Sequence, residues 1–207
     1  KEDTWIKDDI TPYELYLKML FEYFKEDINI DQEIELHLPP GFMRLEYQQQ
    51  AVLNAKKILE GYHGVFLADV VGLGKTFISA LLAQQLQGGK LIICPPVLKK
   101  YWEDTLRDFN VVNFEVESLG KLERLKDRSH RYKYVFIDEA HRFRNEYTQG
   151  FEHLDAICKG KKVVLVSATP INNRFDDLLA QLRLFQPLRR STIPGVLNLE
   201  KFFQDVN

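Results

Sequence analysis

The sequence predicts an α/β fold, a mostly parallel sheet with helices on both faces. Three observations carry this. Short apolar runs alternate with segments of helical periodicity along most of the chain, and such alternation implies parallel strands joined by crossover helices. A glycine-rich turn ending in Lys75-Thr76 lies between an apolar run and an amphipathic segment. Two further apolar runs stop at acidic or hydroxyl residues, Asp138-Glu139 and Ser167-Ala168-Thr169. In a parallel sheet those residues fall at the carboxyl edge, where ligands of open α/β sheets collect. With 207 residues, 45% of them hydrophobic, the chain can bury one sizeable core, so a single domain with appendages is expected.

The elements follow in order. Thr11-Pro12-Tyr13-Glu14 is a capping box with proline at the first helical position, opening a helix that runs to about Asp27. Its apolar residues, from Leu15 to Phe24, spread over more than one stripe, so it is expected to pack on two surfaces. Residues 28–43 form a connector ending in Pro39-Pro40-Gly41. Helices are predicted near 46–60, 75–87, 97–109, 118–127, 149–158 and 175–185, and strands near 64–68, 90–94, 112–117, 133–138 and 162–167. Right-handed crossovers then put helices on both faces. The stretch from Phe185 to Pro194 breaks the periodicity and reads as a linker or protrusion, with a short helix at Leu199–Gln204.

The chemistry concentrates in three segments. In Leu67-Ala68-Asp69-Val70-Val71-Gly72-Leu73-Gly74-Lys75-Thr76 the glycines let successive backbone N–H groups converge on an anion. Lys75 supplies a point charge to β/γ-phosphates, and the Thr76 hydroxyl can ligate Mg2+. The helix that follows adds its positive N-terminal dipole. The strict phosphate-loop pattern has glycine where Asp69 stands. Gly64–Ala68 reads as the buried strand and Phe77–Leu82 as the helix that such a loop joins. In Tyr134-Val135-Phe136-Ile137-Asp138-Glu139-Ala140-His141 a continuous apolar strand ends in two carboxylates. Asp138 can hold the magnesium, directly or through water, and Glu139 can orient and deprotonate the attacking water. Val163 to Pro170 is a third apolar strand running into small hydroxyl residues. Each segment alone also reads as an ordinary turn or strand end. Their order along the chain favours the nucleotide site.

Composition excludes other classes. No apolar run approaches the ~18–20 residues of a membrane span, and Lys1-Glu2-Asp3-Thr4-Trp5 has no signal-peptide pattern. A soluble, cytoplasmic protein without membrane contact is expected. Cys94 and Cys158 lie in predicted core elements without metal-type spacing and are expected as buried, reduced thiols. A net charge of −2 argues against a surface that coats nucleic acid everywhere. Lys121 to Lys133 is the local exception, with six basic residues against two acidic ones. It reads either as a solvated helix face or as a rim in which Arg124, Arg128 and Arg131 meet phosphates.

The Gly-Lys-Thr, Asp-Glu-Ala-His and Ser-Ala-Thr segments, in that order, resemble the first RecA-like lobe of helicase superfamily 2. Asp69 before Gly72-Leu73-Gly74-Lys75-Thr76 is similar to the SWI/SNF-type DNA translocases, whereas RNA helicases with the same acidic box usually read Gly-Ser-Gly-Lys-Thr. Leu45-Glu46-Tyr47-Gln48 resembles the family's Tyr-Gln segment, which implies that Gln48 reads the adenine edge. Leu91 to Leu98, followed by Trp102, resembles its motif Ia, although Trp102 by itself reads as core packing. Thr169-Pro170-Ile171-Asn172-Asn173 and the helix at Asp176-Asp177-Leu178-Leu179 resemble further family segments. Asp69-Val70-Val71, where the family commonly has Asp-Glu-Met, and Ala168-Thr169-Pro170, where it often has Gly-Thr-Pro, suggest a bacterial or phage-like relative.

The resemblance implies a RecA-like P-loop NTPase lobe over residues 44–187, an N-terminal helical extension over 1–43, and a linker over 188–207 leading to a second RecA-like lobe of a longer chain. That second lobe supplies an arginine finger. The implied partner is double-stranded DNA, held through Pro95, Pro96 and Ser118, while His141, Ser167 and Thr169 relay nucleotide state toward it. ATP and Mg2+ are the implied cofactors, and the implied activity is ATP hydrolysis coupled to movement on duplex DNA. Two alternatives stay open: the motor lobe of a restriction or phage-defence complex, and a degenerate nucleotide-binding module that works by protein interaction. The intact Lys75, Thr76, Asp138 and Glu139 speak against degeneracy.

Overall fold

The computed structural model describes residues 34–43, 45–68, 74–143, 148–167, 175–193 and 195–206. The helix expected from Thr11 to Asp27, the turn residues Asp69, Gly72 and Leu73, and Thr169 lie outside the described residues.

Five strands form the sheet: β1 Gly64–Ala68, β2 Lys90–Cys94, β3 Phe114–Ser118, β4 Tyr134–Asp138 and β5 Lys162–Ser167. Their order is β1-β5-β4-β2-β3, and every neighbouring pair is parallel. The chain therefore steps one way across the sheet from β1 to β3 and back from β3 to β5. With right-handed crossovers the helices of the first half must cover one face and those of the second half the other. The core shows this division. Helices α1 Glu46–Tyr62, α2 Lys75–Gln84 and α3 Lys99–Asp108 bury Val52, Leu59, Leu81, Trp102 and Leu106 with Ile92, Phe136 and Val164. Helices α4 Leu122–Lys126, α5 Gln149–Cys158, α6 Phe175–Arg183 and α7 Leu199–Val206 bury Leu125, Leu154, Leu182 and Phe203 with Ile93, Ile137 and Leu165.

Because both faces are covered, β4 reads as an unbroken apolar run and all five of its residues are buried. Alternation still decides which face each residue serves. Tyr134 and Phe136 join the first core and Val135 and Ile137 the second, so Asp138 falls on the α3 side. Cys94 and Cys158 are both buried and free.

Several boundaries differ from expectation for local reasons. Strand β3 begins at Phe114 rather than 112, because α3 ends in a Schellman motif that uses the preceding residues. Asn110 takes the left-handed conformation at φ 53°. Its N–H donates to the Arg107 carbonyl and that of Val111 to the Leu106 carbonyl, both at 2.9 Å. Helix α2 stops at Gln84, short of 87. The Gln84 and Gln85 side chains instead hold the connector, donating to the carbonyls of His37 and Glu35 at 2.9 Å each. The predicted helix over 118–127 divides into a 3-10 turn, Leu119–Lys121, and α4. The helix expected from 97 likewise opens with a 3-10 turn, Pro96–Leu98, before α3. Beyond α6 the chain does not leave the lobe: Ile193, Val196, Leu199 and Phe203 are buried in the second core.

At the amino edge of the sheet two contacts set the spacing between β2 and its neighbours. Lys90, only 1% exposed, donates its ammonium to the Gly88 and Val112 carbonyls at 3.1 and 3.0 Å, which compensates for burying a charge. Gly89 passes so close to the next turn that an added Cβ would lie 2.3 Å from the Arg131 carbonyl oxygen. That atom is backbone and cannot rotate away. Gly89→Ala is accordingly expected to lower stability by about 1–3 kcal/mol, as overpacking does, read as a fall in the denaturant midpoint at unchanged slope. A wild-type midpoint would show that the turn yields.

Candidate functional site

The site lies along the carboxyl edge, where the strand register brings the predicted residues into one row. Ala68 pairs with Ser167, Asp138 with Val166, and Cys94 with Ser118. The three chemical segments of the sequence therefore open onto the same edge of the sheet.

Gly74 is the N-cap of α2 at φ 77°, a left-handed conformation that suits glycine. An added Cβ there would meet Phe77 Cδ2 at 2.8 Å. The first intrahelical bond runs from the Ile78 N–H to the Gly74 carbonyl at 3.0 Å, so the amides before it have no helical partner. The N-cap glycine has no side chain to cap them, and no acid stands in the first turn of α2. Lys75 and Thr76, in that turn, are half-buried. The arrangement is an anion-receiving helix end carrying a cation and a hydroxyl.

Asp138 closes β4 with 9% of its surface exposed. Its Oδ2 accepts from the Trp102 indole Nε1 at 2.8 Å and its Oδ1 from the Glu139 amide at 2.9 Å. Burial pushes this carboxyl above the usual carboxylate range. The Trp102 and Glu139 hydrogen bonds oppose that, the Glu139 charge adds to it, and Lys75 pulls against it.

Glu139 sits at φ 55°, a left-handed conformation that costs a non-glycine residue about 1–2 kcal/mol. The turn that imposes it is closed by the Arg142 N–H donating to the Glu139 carbonyl at 3.0 Å. It brings the Glu139 Oε2 within 3.1 Å of His141 Nδ1. The same ring nitrogen is 3.2 Å from Ser167 Oγ. The structure therefore joins Glu139, His141 and Ser167 in one cluster. Gln48 is half-buried in the first turn of α1, its amide donating to the Leu45 carbonyl at 3.0 Å.

Farther along the edge, Pro95 is buried and Pro96 exposed, and the Leu98 N–H donates to the Pro95 carbonyl at 2.9 Å. Ser118 is half-buried at the start of the turn Leu119–Lys121. Of the three arginines of the basic stretch, Arg124 and Arg131 are exposed. Arg128 is engaged within the protein, 2.7 Å from Glu115 Oε1 and 3.5 Å from Glu117 Oε1. Glu117 also meets Lys99 and Lys121, each at 3.3 Å. Burial raises the Glu117 carboxyl, but the two lysines outweigh it and hold the group below the usual range.

The residue that sequence reasoning missed is Trp102. It is 1% exposed and does pack in the core, but its N–H reaches a carboxylate of the site. A buried indole needs an acceptor, and that requirement was the available signal.

With this geometry in hand, the chain matches a family model described as the SNF2-related domain over residues 103–193. It is 29% identical over 190 residues to the uncharacterized ATP-dependent helicase YqhH of Bacillus subtilis (strain 168), covering 80% of this chain and 32% of that protein. It is 26% identical over 186 residues to chromodomain-helicase-DNA-binding protein 1-like of Danio rerio, covering 73% of this chain and 17% of the relative. The chain thus spans a third or less of these relatives. Among solved structures, the SWI2/SNF2 ATPase core of Sulfolobus solfataricus, in complex with dsDNA, matches with a TM-score of 0.66 and 24% identity, over 78% of this chain and 39% of that one. The UvsW helicase of bacteriophage T4 matches with a TM-score of 0.56 and 14% identity, over 87% of this chain and 67% of that one. At these identities the two structures speak for the fold.

Proposed function

We propose that this chain, which matches the SNF2-related domain over residues 103–193 and is similar to ATP-dependent helicases, is the ATP-binding half of a motor that couples ATP hydrolysis to movement along duplex DNA. The observation that carries this reading is the meeting of the α2 N-terminus, with Lys75 and Thr76, and the buried Asp138 at one sheet edge. Phosphates at the helix end would be held by the Gly72–Gly74 backbone and Lys75. Asp138 and Thr76 offer the hard oxygen donors that Mg2+ takes alongside phosphate oxygens. Bound there, Mg2+ would neutralise charge developing on the transferred phosphoryl group.

The remaining roles follow from chemistry at the same edge. Glu139 would take a proton from the attacking water, and His141 with Ser167 would carry the change from that carboxylate to β5. Thr169 would extend this relay, while Gln48 and Asp69 would border the nucleotide. The turn at Pro95-Pro96 and the turn after Ser118 would meet phosphates of one DNA strand. Relatives named as an ATP-dependent helicase and as a chromodomain-helicase-DNA-binding protein, and a similar ATPase core solved in complex with dsDNA, support a duplex partner. A second RecA-like lobe would complete the site, and its closure would link hydrolysis to movement.

Two measurements test the reading. Labelled ATP with Mg2+ should bind the chain saturably, and no binding at millimolar nucleotide would overturn it. In the two-lobed protein, affinity for duplex DNA should fall with salt and vary little with sequence. Because Arg128 is already paired with Glu115 and Glu117, replacing Arg124 and Arg131 by Ala should shrink the log–log salt slope by up to about two contacts, each ~0.9. An unchanged slope would return both arginines to the solvated surface.

A further inference from the structure

We infer that Trp102 is a positioning residue for Asp138, fixing the orientation in which this carboxylate receives the nucleotide's magnesium. The inference rests on the nucleotide-binding reading of the site and adds a residue to it.

The geometry is specific. Trp102 comes from the middle of α3 and Asp138 from the end of β4, so the bond spans two elements far apart in sequence. Both groups are withdrawn from water, at 1% and 9% exposure. The 2.8 Å separation is that of a well-formed N–H···O hydrogen bond. A carboxylate offers about four lone-pair positions. The indole takes one on Oδ2 and the Glu139 amide one on Oδ1. With one oxygen fixed by an adjacent amide and the other by an indole locked in the core, the plane of the carboxylate cannot turn. Its unused lone pairs keep one direction. An Asp held only by its neighbour's amide could rotate about its side-chain bonds and lose that direction.

The contrast with ordinary packing is testable because packing does not need the nitrogen. An indole serving the core alone would lose little when replaced by phenylalanine, which keeps an aromatic ring among Cys94, Leu106 and Phe136. An indole that holds Asp138 loses its whole function in that exchange. Partners in the shell behind a metal ligand typically change metal affinity by about 10–100-fold. Trp102 also belongs to the helix that follows the Pro95-Pro96 turn, so the bond makes that helix and the magnesium-holding carboxylate one mechanical unit.

The test measures labelled ADP binding as a function of Mg2+, in the wild-type chain and in Trp102→Phe. In EDTA the two should bind ADP alike, because Lys75 and the loop amides are untouched. With ADP present, the Mg2+ concentration for half-maximal enhancement should rise at least ~10-fold in the variant. An unchanged Mg2+ dependence overturns the inference. A second measurement does not depend on the variant folding. The sequence has two tryptophans, Trp5 and Trp102, so in Trp5→Phe all indole emission reports on Trp102. That emission should shift when Mg2+ is added to the ADP-bound chain and not when ADP is added in EDTA; a silent indole overturns the inference. Absence of any ADP binding by the wild-type chain, with or without Mg2+, would instead remove the nucleotide reading itself, and this inference with it.

Discussion

Replacing Lys75 by alanine is expected to reduce affinity for ATP and ADP by up to about 100-fold while leaving the melting temperature within a few degrees of wild type. The size follows from one hydrogen-bonded charge in contact with phosphate, which contributes about 1.5–3 kcal/mol. The selectivity follows from position. Lys75 stands half-buried in the first turn of α2, while the helix is held by Ile78, Leu81 and Leu82, all buried in the first core. Alanine is the best helix former, so the turn itself is preserved. The ammonium is also a positive charge acting on Asp138; without it that carboxyl should titrate at still higher pH. Nucleotide titration beside thermal melting separates the effects. Wild-type affinity in Lys75→Ala would mean that the phosphates are held by the loop amides alone, and a large loss of stability would mean that Lys75 is structural.

Much of the architecture was legible because its signals are local and repeated. Strands β1, β2 and β5 have the bounds expected, 64–68, 90–94 and 162–167, since a strand buried on both faces shows as a near-continuous apolar run. Helix α5 is likewise as expected, opened by the Thr148 side chain accepting from the Phe151 N–H at 3.2 Å. What the sequence concealed depends on contacts between distant residues. Val112 looks like the start of a strand, and only the Schellman closure on Leu106 and Arg107 just before it shows why it is not. Lys90 looks like a solvated charge, yet carbonyls from two loops surround it. Arg128 belongs to a basic run in sequence, but in space it faces Glu115 and Glu117 of the edge strand. In the site, the strand ends announced Asp138, Glu139 and Ser167. The indole behind Asp138 was not announced, because an amphipathic helix offers no sign of which atom its tryptophan will touch.

Glu139→Gln is expected to separate binding from chemistry in the two-lobed protein: nucleotide affinity close to wild type, and hydrolysis lowered by about 100- to 10,000-fold, the usual contribution of a positioned general base. The substitution keeps the side chain's length and its backbone demands. Glutamine meets the same left-handed φ of 55° that glutamate already tolerates, and the turn bond from the Arg142 N–H to the residue's carbonyl is unaffected. What changes is basicity. The amide cannot accept a proton from water, and the contact with His141 Nδ1, 3.1 Å from Oε2 in the native chain, loses its charge. The backbone strain supports the assignment, since a non-glycine residue held at positive φ is a cost that tends to persist where the side chain's direction is needed. Binding should survive because, in the proposed site, Lys75 and the α2 N-terminus rather than Glu139 would face the phosphates. Single-turnover hydrolysis set beside equilibrium binding distinguishes the cases. If Glu139→Gln and Lys75→Ala lost nucleotide affinity equally, the two residues would share one role, and the division into charge clamp and water activator would be wrong.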